Sequence, residues 1–239
     1  RNPMRFLPYQ NVTLKNLDGV SPCSDNGVAY LTEKYPDFAN KLQTARLGTL
    51  EHGYQKVSNT KTIVTCCSLY KIKRISMFAK AFRRLCEQRQ DCHWVCIGDG
   101  EEFPWLSEFI SANHLEDRIT LMGRLPNQKV IEYYQTHDVH FFSNVSIFEG
   151  VPVCVMEALS FGIPVIATNA GGTGELVSEE NGMLLDTAID EEQLAQILEE
   201  AFSMKEEEYA KKRAAARQTW EEKSSAQKNY TAWCQLLLD

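Results

Sequence analysis

The chain has 239 residues, 44% of them hydrophobic, and 25 Lys and Arg stand against 32 Asp and Glu for a net charge of −7. That length and apolar content suffice for a buried core, while the acidic balance excludes a non-specific nucleic-acid binder, which needs clustered cations to displace counterions from phosphates. No run of about 18 apolar residues occurs, because Glu157, Gly162 and Pro164 interrupt the most apolar stretch, so no membrane span is expected.

Residues 1–56 lack the rhythm of a domain. They open Arg1-Asn2-Pro3, with neither an initiator Met nor a signal peptide, so a preceding N-terminal part is expected. Residues 18–24 read as one short strand. Residues 24–35 read as a helix capped by Ser24 or Asp25, whose short side chains accept from the first helical amides. One β-α unit buries no core, so residues 1–56 are expected to be the tail of a preceding domain plus a linker, and the main domain to span 57–239.

From residue 62 onward apolar strands alternate with amphipathic helices, the pattern of a parallel sheet with crossover helices. Strands are expected at 62–67, 94–97, 119–122, 139–142 and 164–167, with Gly182-Met183-Leu184-Leu185 as a sixth apolar segment. Helices are expected at 75–88, where Ile75, Phe78, Phe82 and Leu85 share one face, and at 101–113, 127–136 and 152–161. Two polar helices follow at 191–203 and 206–238, the second broken near Lys223-Ser224-Ser225. The sum is a doubly wound α/β domain.

The eight cysteines lie in a long acidic chain unlike a short secreted scaffold, so reduced cytoplasmic thiols are expected. Cys92-His93-Trp94-Val95-Cys96 sits in an apolar strand without paired C-x2-C spacing, and adjacent Cys66 and Cys67 face opposite ways, so no metal site is expected. His137 and His140, flanking Asp138 at the start of a strand, read as structural.

The chemistry concentrates in residues 143–185. Glu149 and Glu157 stand on either side of Pro152, which suits the first position of a helix. The helix then starts between the two carboxylates, and its free amides, from about Val153 and Cys154, form an anion site at the positive end of the helix dipole. Glu157 lies one turn in, able to accept from a diol, whereas Glu149 lies before the helix, near whatever extends beyond the anion. A nucleotide sugar has that order of ribose diol, diphosphate and sugar hydroxyls.

Glu149-Gly150-Val151-Pro152, the Glu-x7-Glu spacing, the run ALSFGIPVI at 158–166 and Gly171-Gly172-Thr173 together resemble the family 4 retaining glycosyltransferases that build bacterial polysaccharides. Lys73-Arg74, Gly98-Asp99-Gly100 and Gly123-Arg124 extend the resemblance over residues 57–239, and Val20-Ser21-Pro22-Cys23-Ser24 with Arg46-Leu47-Gly48 is similar to the end of such an enzyme's first domain and its hinge. The resemblance implies the C-terminal half of a GT-B fold, a Rossmann-like parallel sheet preceded by an N-terminal remnant and followed by a helical C-terminus. It implies two catalytic groups, Glu149 on the donor sugar and Lys73 on the diphosphate. Donor binding would fall to Glu157 at the ribose hydroxyls, to the amides of Val153 and Cys154, to Gly150, to Gly98 and Gly100 lining the cleft, and to Gly123 and Arg124 beside the base.

Two positions depart from the family. The usual Arg five residues before the Lys is here Ser68, leaving Lys71 or Arg74 as substitutes, and Pro152 has no amide to offer. The implied activity is transfer of a sugar from a nucleotide-diphosphate donor, a UDP- or GDP-sugar, to a glycan or lipid-linked acceptor held by an N-terminal domain. Retention is implied, and no cofactor; no Asp-x-Asp occurs, and the family's donor sites imply metal independence. The isolated domain is expected to be inactive, and the whole protein to be cytoplasmic, with peripheral association at the inner face of the plasma membrane. A nucleotide-binding module without activity of its own, and a GT-B epimerase or phosphorylase, stay open. A dinucleotide oxidoreductase fits less well, because Phe103 stands where G-x-G-x-x-G needs its third glycine.

Overall fold

The alternating apolar segments fold as one parallel sheet covered on both faces by helices. The computed structural model describes residues 9–55 and 61–238. Its strands are β1 (Lys61–Cys66), β2 (Cys92–Ile97), β3 (Ile119–Gly123), β4 (Phe141–Asn144), β5 (Val165–Thr168) and β6 (Gly182–Leu185). The order β3-β2-β1-β4-β5-β6 reverses direction between β1 and β4, the topological switch point where doubly wound sheets open a crevice. β1 and β4 share a short register, Ile63 with Phe141 and Val64 with Phe142.

Period-two alternation divides the core. Ile63, Trp94, Phe141 and Ile166 point to one face, where α3 (Ile75–Gln88), α4 (Phe103–Ala112) and α7 (Glu191–Ser203) supply Phe78, Phe82, Leu106 and Leu198. Val64, Val95, Phe142 and Val165 point to the other, against α5 (Asn127–Thr136), α6 (Val153–Ser160) and α8 (Glu206–Lys223) with Tyr134, Val155, Leu159 and Trp220. Trp94 is fully buried among Phe78 and Phe82, and its indole N–H donates to Thr65 Oγ1 at 3.0 Å, so the largest core residue leaves no polar atom unpaired. The break before α9 (Ala226–Leu238) falls at Ser224 and Ser225, as the sequence indicates.

The first segment departs from expectation. Residues 18–24 form no strand; Gly19 and Pro22 interrupt them, and one isolated bridge, Val20 with Leu42, remains. Helices α1 (Gln10–Asn16) and a 3-10 turn (Pro36–Lys41) arise where only linker is expected. The intervening α2 (Asp25–Lys34) begins as expected, with Ser24 Oγ accepting from the Gly27 amide at 2.9 Å. The fourth strand lies two residues later than expected, at 141–144 instead of 139–142; ahead of it the Val139 amide donates to Gln55 Oε1 at 3.1 Å and the His140 amide to Thr62 O at 2.7 Å. The domain boundary at 56/57 falls outside the described residues.

Two clasps tie this segment to the sheet domain. Glu175 accepts from the amides of Asp25 and Asn26 at 3.1 and 2.9 Å and pairs with Arg46 at 2.6 Å, so a carboxylate sits at the positive end of α2. Thr49 is held by the α8–α9 junction: its amide donates to Ser224 O at 2.9 Å, its carbonyl accepts from Ala226 N at 3.1 Å, and its hydroxyl accepts from Trp220 Nε1 at 2.8 Å. Asn229 Nδ2 donates to Leu47 O at 2.7 Å beside them.

Candidate functional site

The carboxyl ends of β1, β2 and β3 border a cavity of about 330 Å³ lined by Cys66, Cys67, Ser68, Tyr70, residues 97–100, Arg124 and Leu125. Its walls depend on close backbone approach. Gly98 has φ +143°, and a Cβ there would overlap the Cys67 carbonyl oxygen, so the β2 loop meets the β1 loop only through a glycine. Of the residues expected to bind a donor, Ser68, Gly98, Gly100 and Arg124 meet in this cavity.

Lys73 and Glu149 form the adjoining pair. Lys73 ends a 3-10 turn (Lys71–Lys73) after β1, and its Nζ lies 2.6 Å from Glu149 Oε1 with both side chains largely buried. The same oxygen accepts from Asn144 Nδ2 at 3.1 Å, and Asn144 Oδ1 in turn accepts from Ser146 Oγ at 2.6 Å. Glu149 therefore sits in a fixed orientation at the end of β4. The turn bearing Lys73 is itself pinned, since Ile147 N donates to Ile72 O at 3.0 Å.

Pro152 is the N-cap residue of α6, one position before the helix and not its first member. Val153 and Cys154 are the first helical residues, and amides in a first turn have no carbonyl four residues back to bond. The thiol of Cys154 is raised by burial first, then by Cys66 and Glu149, and responds also to Lys73 and Glu157. All four charged or titratable groups thus lie within electrostatic reach of the start of α6. Burial likewise pushes Cys66 up to about 12, with the Glu157 charge second.

Glu157 is buried on the border of a second cavity of about 620 Å³ with Leu50, His52, Asn127, Ile131 and Gln135. Its Oε1 accepts from Asn127 Nδ2 at 2.6 Å. Burial raises the Glu157 carboxyl above its ordinary range and the Asn127 contact opposes that shift.

The two cations named as substitutes for an Arg at Ser68 both lie off the lining of the first cavity. The Arg74 guanidinium donates to Thr187 O at 2.9 Å, away from the cavity. Lys71 donates its backbone amide to Glu101 Oε1 at 3.0 Å and does not line the cavity. Gly123 has φ +63° with open space around its Cα, and it accepts from the Gly98 amide at 2.8 Å, which joins the β3 loop to the β2 loop. Gly150 accepts from the Gly172 amide at 2.7 Å, so the Gly171-Gly172 loop braces the Glu149 loop from behind. Sequence reasoning misses Asn127 and Asn144. The second is a polar residue ending an apolar strand, a signal that strand ends face ligands; the first reads as an ordinary helix start.

Residues 50–219 match the glycosyl transferases group 1. The chain belongs to that family. One relative, the phosphatidylinositol N-acetylglucosaminyltransferase GPI3 subunit of Saccharomyces cerevisiae, is 24% identical over 180 residues, covering 70% of this chain and 39% of the yeast protein. The chain thus spans about two-fifths of that relative's length. Among solved structures, S. aureus TarM in complex with fondaparinux, alpha-GlcNAc-glycerol and UDP superposes with a TM-score of 0.80 at 18% identity, over 97% of this chain and 46% of TarM. Anabaena Alr3699/HepE in complex with UDP gives 0.79 at 17% identity, over 95% and 65%. The fold of this chain is therefore that of the matching part of these GT-B glycosyltransferases. Among the described residues no helix is long and apolar enough to cross a membrane.

Proposed function

We propose that this group 1 chain is the donor-binding half of a retaining glycosyltransferase that uses a UDP-sugar and needs no metal. The convergence of the Lys73–Glu149 pair with the first turn of α6, beside the cavity at the carboxyl ends of β1 to β3, carries the reading. The diphosphate lies over the amides of Val153 and Cys154 and draws Lys73 from Glu149. Glu149, held by Asn144, then accepts from the sugar hydroxyls. Glu157 accepts from the ribose diol, and the base lies toward Arg124 and Leu125. UDP is favoured over GDP because both TarM and HepE are solved with UDP.

The chemistry follows from charge. Transfer breaks the bond between the anomeric carbon and the diphosphate oxygen and joins that carbon to an acceptor hydroxyl oxygen, whose proton passes to the departing diphosphate. Negative charge grows on the departing diphosphate, and the Lys73 ammonium and the α6 amides stabilise it where they already stand. The acceptor, a glycan or lipid-linked sugar, is held by a facing domain, so this chain binds donor and does not transfer.

Calorimetry with UDP, GDP and ADP, with and without EDTA, tests the site. UDP binding should persist in EDTA. Glu157→Ala should weaken UDP by about 1.5–3 kcal/mol, the worth of charged hydrogen bonds, whereas Glu149→Ala should leave UDP alone and remove the preference for UDP-sugar over UDP. Equal losses of UDP from both variants, or complete dependence on a divalent ion, refutes the assignment.

A further inference from the structure

Burial raises the Glu157 carboxyl, and its hydrogen bond from Asn127 opposes that rise. Glu157 is buried. The groups facing it are the thiols of Cys66 and Cys154, the phenol of Tyr134, whose titrations its charge disturbs, and, across the second cavity, His52 and Glu132. The described residues lining that cavity include no Lys or Arg. What Glu157 has instead is Asn127, the first residue of α5, whose Nδ2 reaches Oε1 at 2.6 Å. Asn127 is itself exposed and stands one position after the N-cap Pro126, so its side chain does not cap α5. It also follows directly on the loop from Gly123 to Pro126, which borders the first cavity through Arg124 and Leu125.

We propose that Asn127 is the positioning residue for the ribose-recognising carboxylate: by donating to Oε1 it anchors one oxygen of Glu157 and turns the remaining lone pairs toward the ribose diol. The proposal rests on the reading that Glu157 accepts those hydroxyls. A donor amide favours the charged carboxylate over the neutral acid, against a burial that favours the acid. With one oxygen anchored, the carboxylate still has acceptor capacity for two hydroxyls. Ribose recognition is thereby tied to the β3–α5 loop, so the groups that meet base and sugar share one rigid support.

The test compares UDP with 2′,3′-dideoxy-UDP, which lacks the diol, by calorimetry on this chain across the acidic to neutral range. The wild type should prefer UDP, and the preference should fade as falling pH protonates Glu157. In Asn127→Ala the preference should drop about three- to tenfold at neutral pH, the worth of one hydrogen bond, and its fade should begin at higher pH. Asn127→Asp, which sets a like charge against Glu157, should lose more, and Asn127→Gln, which keeps a carboxamide, should recover part. In a Glu157→Gln background Asn127→Ala should change nothing further. Thermal melting of Asn127→Ala near the wild type separates these effects from misfolding.

If Glu157→Ala erases the preference for UDP while Asn127→Ala keeps the wild-type ratio and pH profile, the role of Asn127 is overturned and the ribose reading stands. Equal loss of UDP and dideoxy-UDP in Asn127→Ala also overturns it, since the effect would not pass through the diol. If Glu157→Ala itself leaves the preference intact, the ribose reading falls and takes the proposal with it.

Discussion

Two glycines with nearly the same backbone conformation should respond differently to the same substitution. Gly171 has φ +57° and Gly123 has φ +63°. A Cβ added at Gly123 meets nothing within 4 Å, whereas at Gly171 it would overlap the Glu149 carbonyl oxygen and lie 2.9 Å from its carbon and 3.1 Å from Gly150 O. The left-handed conformation costs Ala about 1 kcal/mol relative to Gly at either position. Overpacking adds about 1–3 kcal/mol at Gly171 alone. Gly123→Ala should therefore lose about 1 kcal/mol and Gly171→Ala about 2–4 kcal/mol in urea denaturation. The clash is with the backbone of Glu149 itself, so relief moves that carboxylate away from Lys73 and Asn144. Gly171→Ala should then also weaken UDP-sugar binding about tenfold, the worth of one charge-assisted contact. Equal destabilisation of the two variants would refute the steric argument. Destabilisation of Gly171→Ala with unchanged UDP-sugar affinity would show that the glycine loop does not set Glu149.

Three further outcomes can be measured directly. Burial raises the Glu157 carboxyl, so the stability it contributes is fully present below the unfolded carboxylate range and is lost as pH rises through the raised folded value. Glu157→Gln should consequently raise the Tm near pH 8 and leave it unchanged near pH 4, and an equal effect at both would contradict the assignment. Ser68 and Arg124 both line the first cavity; a second guanidinium, in Ser68→Arg, should tighten UDP by about 1 kcal/mol through bidentate contacts and leave uridine unaffected, and an unchanged UDP affinity would show that Ser68 does not face the phosphates. Cys234 is exposed while the other seven cysteines are buried or partly so, so a maleimide should label Cys234 first, and Cys234→Ser should abolish the fast phase.

The sheet domain was legible because its signals are periodic. α3, α5 and α7 begin and end where the spacing of apolar residues indicates, and Ser224-Ser225 marks the break before α9. The misreadings fall where tertiary contacts override local pattern. Residues 18–24 look extended but pair only over one short stretch, Val20 with Leu42 and Pro22 with Ala45, and just ahead of β4 the Val139 amide goes to a side chain of the linker, Gln55. The site divides in the same way. Residues in a recognisable linear motif, from Glu149 to Glu157, could be named from the sequence, and so could the glycines at strand ends. Asn127 and Asn144 could not, since each matters only through the glutamate it touches, 30 positions away in the first case and 5 in the second. The fate of Arg74 was equally hidden: its partner, the Thr187 carbonyl, lies 113 residues along the chain.

The clasp between Thr49 and the α8–α9 junction bears on how the protein can be cut. The stretch that matches the family, 50–219, begins one residue after Thr49 and ends one before Trp220. Trimmed to those borders, a fragment would forfeit Trp220, which is 3% exposed in the core, together with both sides of the clasp. It would also lose Arg46, and Glu175 would keep neither its cation nor the α2 amides. Recognisable sequence and self-supporting structure therefore have different borders here. The smallest piece expected to stand alone starts ahead of Ser24, so that α2 keeps its cap, and runs beyond Asn229, whose amide holds Leu47 in place.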